Sequence, residues 1–496
     1  MKKNHKLILL LILFIALFLR LFKLNQLFYF SMDEALIAFR ALGLFKYKRL
    51  FLIGGISPLQ IHLPPYFYYL ASIFLAVFNF NPAGWGIWGA LIGILTIIGL
   101  YFFTKKIINK NTAVVASILY TASFTAVFFD RHFWPLSFNP LFTILTLFLL
   151  TKLNKKSIKH YFLLFFCLAF IITADPSNIP LILTSLFFLI KNSKKVKLKF
   201  VGISSLIAGL VFLTPLLLFD FRHNWQNFKG INKLFNSASI NQFSLQKFID
   251  SLLLVPRTMA RFFYSPQTDI IQLHSYCIPF ASARQHNLPI ILVAVSIAIL
   301  IWFLFSAKKP IEKTISYLIL FYIFGITLFG TLSFSIFDHY LTGLLPIFAF
   351  ITAKLLTKLP KLLTVILLTT FITLNLYQIS QAKNPYGLKH KQELINWANK
   401  ELKGQNFSLD SISKCHKENG LRYLFELIDN SPKQSFMDPN FSWLYNKASS
   451  RTLPDKVLLV TDKPLTVELP VISQQNFGAM NAYIIDNSGK AYKINF

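Results

Sequence analysis

Cysteine and acidic side chains are what this chain has least of. Its three cysteines, Cys167, Cys277 and Cys415, show neither a CxxC nor a metal-ligand spacing, and Cys167 lies inside an apolar run. A disulfide-stapled fold and a thiolate metal cluster are thereby excluded, with Cys277 to Cys415 the one pairing left open. Acids number 20 against 50 lysines and arginines, a formal net charge of +30. Such an excess often marks a nucleic-acid binder, but here the lysines stand in short clusters between apolar runs, where the positive-inside rule puts them. Charged residues of both signs make up only 14% of the chain and hydrophobic ones 54%, too apolar for a set of soluble domains. No internal repeat stands out, which removes support for an inverted-repeat transporter.

What is abundant is hydrophobic sequence in runs long enough to cross a bilayer. Counting stretches near 20 residues gives about eleven transmembrane helices. They are expected at 7 to 24, 84 to 104, 112 to 130, 138 to 152, 160 to 175, 177 to 191, 199 to 219, 288 to 306, 314 to 335, 337 to 354 and 361 to 379. The start, Met1-Lys2-Lys3 before an apolar run, has the look of a signal peptide without a small-residue cleavage site, hence an uncleaved anchor. Pro64 to Phe80 decides the topology. Left out of the count, it puts the lysine clusters at 105 to 110, 152 to 159, 191 to 199, 308 to 313 and 354 to 361 on the N-terminal side, while the alternate short loops carry one basic residue, Arg131. It is therefore expected to be an interfacial or re-entrant helix. The N-terminus then lies inside a cytoplasmic membrane, and segments 25 to 83, 220 to 287 and 380 to 496 lie outside it.

The expected fold is an all-α polytopic membrane protein over residues 1 to 379, followed by a small soluble α/β extracytoplasmic domain over 380 to 496. In that tail the pattern predicts a helix at 388 to 403 closed by Gly404, a strand at 456 to 461, and a hairpin turning at Asn487-Ser488-Gly489.

An acidic pair, Asp33-Glu34, follows the first span in the stretch Phe30-Ser31-Met32-Asp33-Glu34-Ala35. Ser31 and Glu34 fit a capping box, which accounts for Glu34. Asp33 suits the first turn through the helix dipole, but the box does not need it. A carboxylate at a membrane surface is costly to desolvate and is useful there if it takes a proton or holds a cation.

Taken in order, Arg20-Leu21-Phe22, Asp33-Glu34-Ala35, Pro58-Leu59 with His62, Pro64-Pro65 with Tyr66, and Tyr101 make a pattern that resembles the membrane glycosyltransferases of the GT-C fold. These include the protein O-mannosyltransferases, the aminoarabinose transferase of lipid A and the RgtA/B/C/D-like bacterial enzymes. The resemblance covers roughly residues 7 to 350. It implies an inverting hexosyl- or pentosyltransferase that moves a sugar from a polyprenyl phosphate to an acceptor hydroxyl or amine outside the cytoplasmic membrane. The acid matching Asp33 would be the general base, with Glu34 beside it. Arg131, in Phe129-Asp130-Arg131-His132, matches an arginine that the mannosyltransferases place near the donor phosphate, and Asp130 would pair with it. A leaving phosphate needs cations to hold its charge. Arg222, His223 and His339, and less strongly Arg257 and Arg261, are the other candidates near outer loops. His62, Tyr66, Trp134 and Tyr340 would line the substrate, with Tyr68, Trp225 and Tyr264 as further aromatic surfaces.

The aminoarabinose transferase binds a metal through an aspartate followed by proline, where this chain has Asn139-Pro140. Asparagine is a weaker, neutral ligand. A divalent metal, to which Asp130 and Asn139 would contribute, is therefore not firmly implied, and neither is any other cofactor. The partners implied are the lipid-linked sugar, a protein, lipid or polysaccharide acceptor, and the bilayer. A non-enzymatic lipid-linked sugar flippase or transporter is the alternative; it would need polar groups at mid-span, and the predicted spans carry almost none.

Overall fold

The computed structural model describes residues 2–30, 32–56, 61–153, 157–236, 244–266, 288–332, 337–412, 420–445, 454–466, 468–489 and 492. Ser31 of the expected capping box, Pro58-Leu59, Cys277 and Cys415 lie outside them. The described helices begin with α1 (Lys2–Leu21), α2 (Leu24–Leu27), α3 (Met32–Phe45), α4 (Tyr66–Ala76), α5 (Ala83–Ile107), α6 (Lys110–Ala122) and α7 (Phe124–Phe129). Next come α8 (Asn139–Leu150), α9 (Lys159–Ala174), α10 (Ile179–Lys191), α11 (Leu198–Arg222), α12 (Gln226–Asn236) and α13 (Leu245–Phe263). Helices Ile290–Phe305, Pro310–Leu332, Leu345–Leu356 and Lys361–Gln381 complete the membrane region.

Among the described residues, five helices are long and apolar enough to cross a membrane: α5, α11, Pro310–Leu332, Asp338–Leu356 and Lys361–Gln381. The other expected spans fall on α1 and on shorter apolar helices. The run at 112 to 130 is not one helix as expected. Ser123 breaks it, because its side chain accepts the Ala126 N–H as the cap of α7 while its hydroxyl donates to the Phe262 carbonyl. The stretch Pro64 to Phe80 forms α4, which packs on α3.

Helix α5 is close-packed through glycine. A Cβ at Gly89 would lie 2.6 Å from the His132 carbonyl oxygen, and one at Gly93 would lie 2.4 Å from Asp130 Oδ2. The bare face lets the 130–132 turn rest directly on the helix.

The tail carries one five-stranded sheet, in the order β2-β1-β3-β5-β4. Its strands are β1 (Phe407–Ile412), β2 (Gln434–Ser435), β3 (Lys456–Thr461), β4 (Val471–Phe477) and β5 (Met480–Asp486). β1 runs parallel to β2 and β3, whereas β5 runs antiparallel to β3 and β4. The expected helix is Leu388–Leu402, ended by left-handed Lys403 and Gly404. The expected strand at 456 to 461 is β3. A hairpin joins β4 and β5 at Gly478-Ala479, and Ser488-Gly489 lie in a turn after β5, while most of the segment that would return from the expected hairpin at Asn487-Ser488-Gly489 lies outside the described residues. Gly478 takes φ +61° and Ala479 stays out of the left-handed region, the arrangement of a II′ turn with glycine first.

Candidate active site

Asp33 sits in the first turn of α3 and Arg40 seven residues on, which places both on one face about 10.5 Å apart along the axis. Arg40 is buried. Its Nη1 donates to the Ile53 carbonyl, while the rings of Tyr68, Phe51 and Trp443 lie 5.2, 5.3 and 5.4 Å from the guanidinium carbon. Its Nε meets no partner and its charge meets no carboxylate among the described residues. Burial pulls its pKa below the ordinary arginine value, against the favourable pull of Tyr68.

A loop from Leu50 folds back over Tyr68. The Gly54 N–H donates to Leu63 O at 2.6 Å and the Leu63 N–H to Gly55 O at 2.9 Å. A Cβ on Gly54 would lie 2.4 Å from the Tyr68 ring, and one on Gly55 2.3 Å from its hydroxyl. The paired glycines thus let the backbone lie flat on Tyr68, and Gly55 hydrogen-bonds to the hydroxyl.

Asp33 is exposed, yet burial among protein atoms raises its pKa. Asp175, in the turn after α9, has the same character. It is half-buried, accepts the Ser177 N–H at 2.7 Å, and has its pKa raised by burial in spite of those hydrogen bonds. Both carboxylates act electrostatically on the hydroxyls of Tyr68 and Tyr340. Four groups from α3, α4, the α9 turn and the segment before Leu345–Leu356 are therefore neighbours and make up one partly exposed cluster, the recess.

His62 belongs to its edge. Burial and the Arg40 charge lower its pKa, with Asp220 opposing. Its backbone N–H donates to Asn227 Oδ1 at 2.8 Å, and its Nδ1 is buried without a partner. His223 is exposed and stacks on Phe219 at 4.1 Å, with Nδ1 donating to the Phe219 carbonyl at 2.8 Å. Arg222, beside it, is also exposed. Glu34 is buried at 3% exposure beneath α3.

Other expected site residues have different surroundings. Arg131 is buried at the end of α1, donating from Nε to Arg20 O at 3.1 Å and from Nη2 to Leu19 O at 2.7 Å and Phe22 O at 3.1 Å. Asp130 does not pair with it. Arg20 takes that carboxylate at 2.7 Å, and the Tyr120 hydroxyl donates to it at 3.2 Å. Asn139 is buried, with Oδ1 unbonded at the start of α8. Among the described residues no three His, Cys, Asp or Glu side chains converge as metal ligands.

Tyr66 donates to Val211 O and packs on Phe212, joining α4 to α11. Trp134 lies 4.7 Å from His339, whose ring also contacts Phe337 and Tyr340, so this aromatic stack abuts the recess through Tyr340. Arg261 is paired with Asp338. Two members of the recess, Asp175 and Arg40, were not among the expected site residues. The first had a visible signal in Ala174-Asp175-Pro176-Ser177, a carboxylate just beyond an apolar run.

Residues 62–219 match the family model of dolichyl-phosphate-mannose-protein mannosyltransferase. ArnT from Cupriavidus metallidurans in the apo state superposes with a TM-score of 0.51 at 12% identity, covering 98% of this chain and 99% of that one. The same enzyme bound to undecaprenyl phosphate gives 0.50 over 96% and 97%. The apo oligosaccharyltransferase of Archaeoglobus fulgidus gives 0.50 at 13% identity, over 87% of this chain and 64% of that one. The chain has the GT-C fold. No curated protein matches the sequence. Within the GT-C frame, the recess lies on segments that the family model spans in part: His62, Tyr68 and Asp175 fall inside it, Asp33 and Arg40 ahead of it.

Proposed function

We propose that the chain is an inverting glycosyltransferase that moves a sugar from a polyprenyl phosphate to an acceptor hydroxyl or amine at the outer face of the cytoplasmic membrane. The observation that carries this reading is the recess holding Asp33, Asp175, Tyr68 and Tyr340, with Arg40 behind Tyr68. The match to a dolichyl-phosphate-mannose transferase model and the fold shared with an undecaprenyl-phosphate-bound enzyme support the lipid-phosphate donor.

In this reading the acceptor oxygen attacks the anomeric carbon from the face opposite the phosphate. The new C–O bond forms as the bond to the phosphate oxygen breaks, the acceptor proton passes to the Asp33 carboxylate, and polyprenyl phosphate leaves with the electron pair. A carboxylate whose pKa is raised toward neutrality is a stronger base than an ordinary aspartate. Asp175 and the two tyrosines would hold sugar hydroxyls. The charge of the departing phosphate is assigned to Arg40 and His62, since among the described residues no carboxylate answers the buried charge of Arg40, whereas the Arg131 donors are engaged by the end of α1. The lipid tail is assigned to a groove of about 220 Å³ between α9, α10 and α11, lined by Leu168, Ile172, Ile182, Leu186 and Phe212. Thr173, two residues before Asp175, lines the same groove. No step is routed through a metal.

The test is transfer by purified protein from a panel of polyprenyl-phosphate sugars. Asp33→Asn is expected to lose about 10²-fold or more of kcat. Equal turnover in Asp33→Asn and wild type would sink the assignment.

A further inference from the structure

Beyond the end of α11 the chain reverses through two consecutive residues in the left-handed region, Asn224 at φ +54° and Trp225 at φ +57°. A tryptophan there is an outlier, because its Cβ crowds the backbone, and only its surroundings can hold it. They come from one residue of α11. The Trp225 N–H donates to the Asp220 carbonyl at 2.8 Å, and the Asn227 N–H donates to Asp220 Oδ1 at 2.8 Å.

What the reversal delivers is Asn227. Its side chain is 2% exposed, and its Oδ1 accepts the His62 N–H at 2.8 Å. The ring of Phe219, in the last turn of α11, meets the His62 ring edge-on at 5.1 Å, and on its other edge His62 bridges Ile56 in an antiparallel pair. Arg40, Asp220 and His223 are the charged and titratable groups within electrostatic reach of that imidazole.

Asn227 holds His62 at a cost. Its Nδ2 is buried without a hydrogen-bond partner, as is His62 Nδ1. Unmet buried polar groups destabilise a fold, and a leucine, of the same branched shape, would leave fewer of them. What a leucine cannot do is accept the His62 N–H. The helix that carries this hold also carries a wall of the groove assigned to the lipid tail, since Phe212 of α11 lines it. Asp220 lies eight residues on, roughly 12 Å along the axis, so one element meets both ends of a lipid phosphate.

We propose that Asn227 is a positioning residue for the transfer reaction, holding His62 where it meets the phosphate of the lipid donor. The inference rests on the assignment of that phosphate to Arg40 and His62.

The experiment compares full-length Asn227→Leu, Asn227→Ala, His62→Gln and the double variant Asn227→Ala/His62→Gln with wild type, using undecaprenyl phosphate as the binding probe and turnover normalised to folded protein. Both Asn227 variants are expected to weaken undecaprenyl phosphate binding and to lower kcat/KM for the lipid-linked sugar at least tenfold, and to speed hydrogen exchange in the peptide spanning residues 50 to 66. Because Asn227 acts through His62, the double variant should lie within about twofold of His62→Gln alone. Losses that multiply in the double variant mark a merely structural asparagine and overturn the proposal. So does wild-type affinity and turnover in both Asn227 variants. A His62→Gln protein with wild-type affinity and turnover overturns the phosphate assignment itself, and is read separately from the exchange data, which report on the hold whatever the chemistry.

Discussion

Replacing Arg131 by methionine separates two roles for the one cation of its loop. Methionine keeps most of the volume and removes the donors, so the carbonyls of Leu19, Arg20 and Phe22 lose their buried partner. Each buried acceptor left unpaired costs about 1–3 kcal/mol, and some of that sum is returned because a guanidinium no longer has to be desolvated beside Arg20. The net loss is about 3–5 kcal/mol. A chain of 496 residues unfolds with an entropy of about 1 kcal/mol/K, so the melting temperature should fall by about 3–5 °C. The assay is a thermal melt of the detergent-purified protein, run beside turnover normalised to folded protein. If Arg131 serves as the cap of α1, stability falls and turnover per folded molecule stays within about twofold of wild type. An Arg131→Met protein that melts like wild type yet has lost about 10²-fold of kcat would refute this reasoning and return Arg131 to the donor phosphate.

Burial raises the pKa of Asp33, so the acid limb of kcat/KM should lie above the ordinary aspartate value of about 3.9 and should be absent from the residual rate of Asp33→Asn. The same shift has a stability sign. A carboxyl that binds its proton more tightly folded than unfolded makes the fold lose stability as pH rises from the unfolded pKa through the folded one, so Asp33→Asn should melt no lower than wild type at neutral pH, which a melt at two pH values checks. Gly54→Ala places a methyl 2.4 Å from the Tyr68 ring and 2.9 Å from Pro64 O, and should displace Tyr68, cutting kcat tenfold or more. Unchanged kcat in that variant would show that the position of Tyr68 does not matter.

Hydrophobic run length made the membrane region legible, because the bilayer imposes one length on every span. Ser123 escaped that reading. A serine in an apolar run looks like any small span residue until its partner, the Phe262 carbonyl, is known, and that partner is 139 residues distant. Helix Leu388–Leu402 and β3 were legible from period and from Gly404, whereas the hairpin at Gly478-Ala479 was passed over because Asn-Ser-Gly is a louder turn signal than Gly-Ala. Asp33 was found as a carboxylate without a local purpose. Asp175 met the same criterion but stood at the end of a predicted span, where an acid is easily taken for a cap, and it does cap the short turn Pro176–Asn178. Arg40 could not be recognised from its neighbours in sequence, since what defines it is the three rings supplied by residues 51, 68 and 443.

Residues 27 to 30 are held by 384 to 391, the Leu27 carbonyl accepting from Asn384 Nδ2 and the Phe30 carbonyl from Lys391 Nζ, and this sets an order of events during synthesis. The first span and the helix bearing Asp33 leave the ribosome hundreds of residues before their partners exist, and no local contact can substitute for a bond closed across 361 positions. A nascent chain can thus insert most of its helices while that segment is still unheld. The hold on residues 27 to 30 is complete only once the tail has been made.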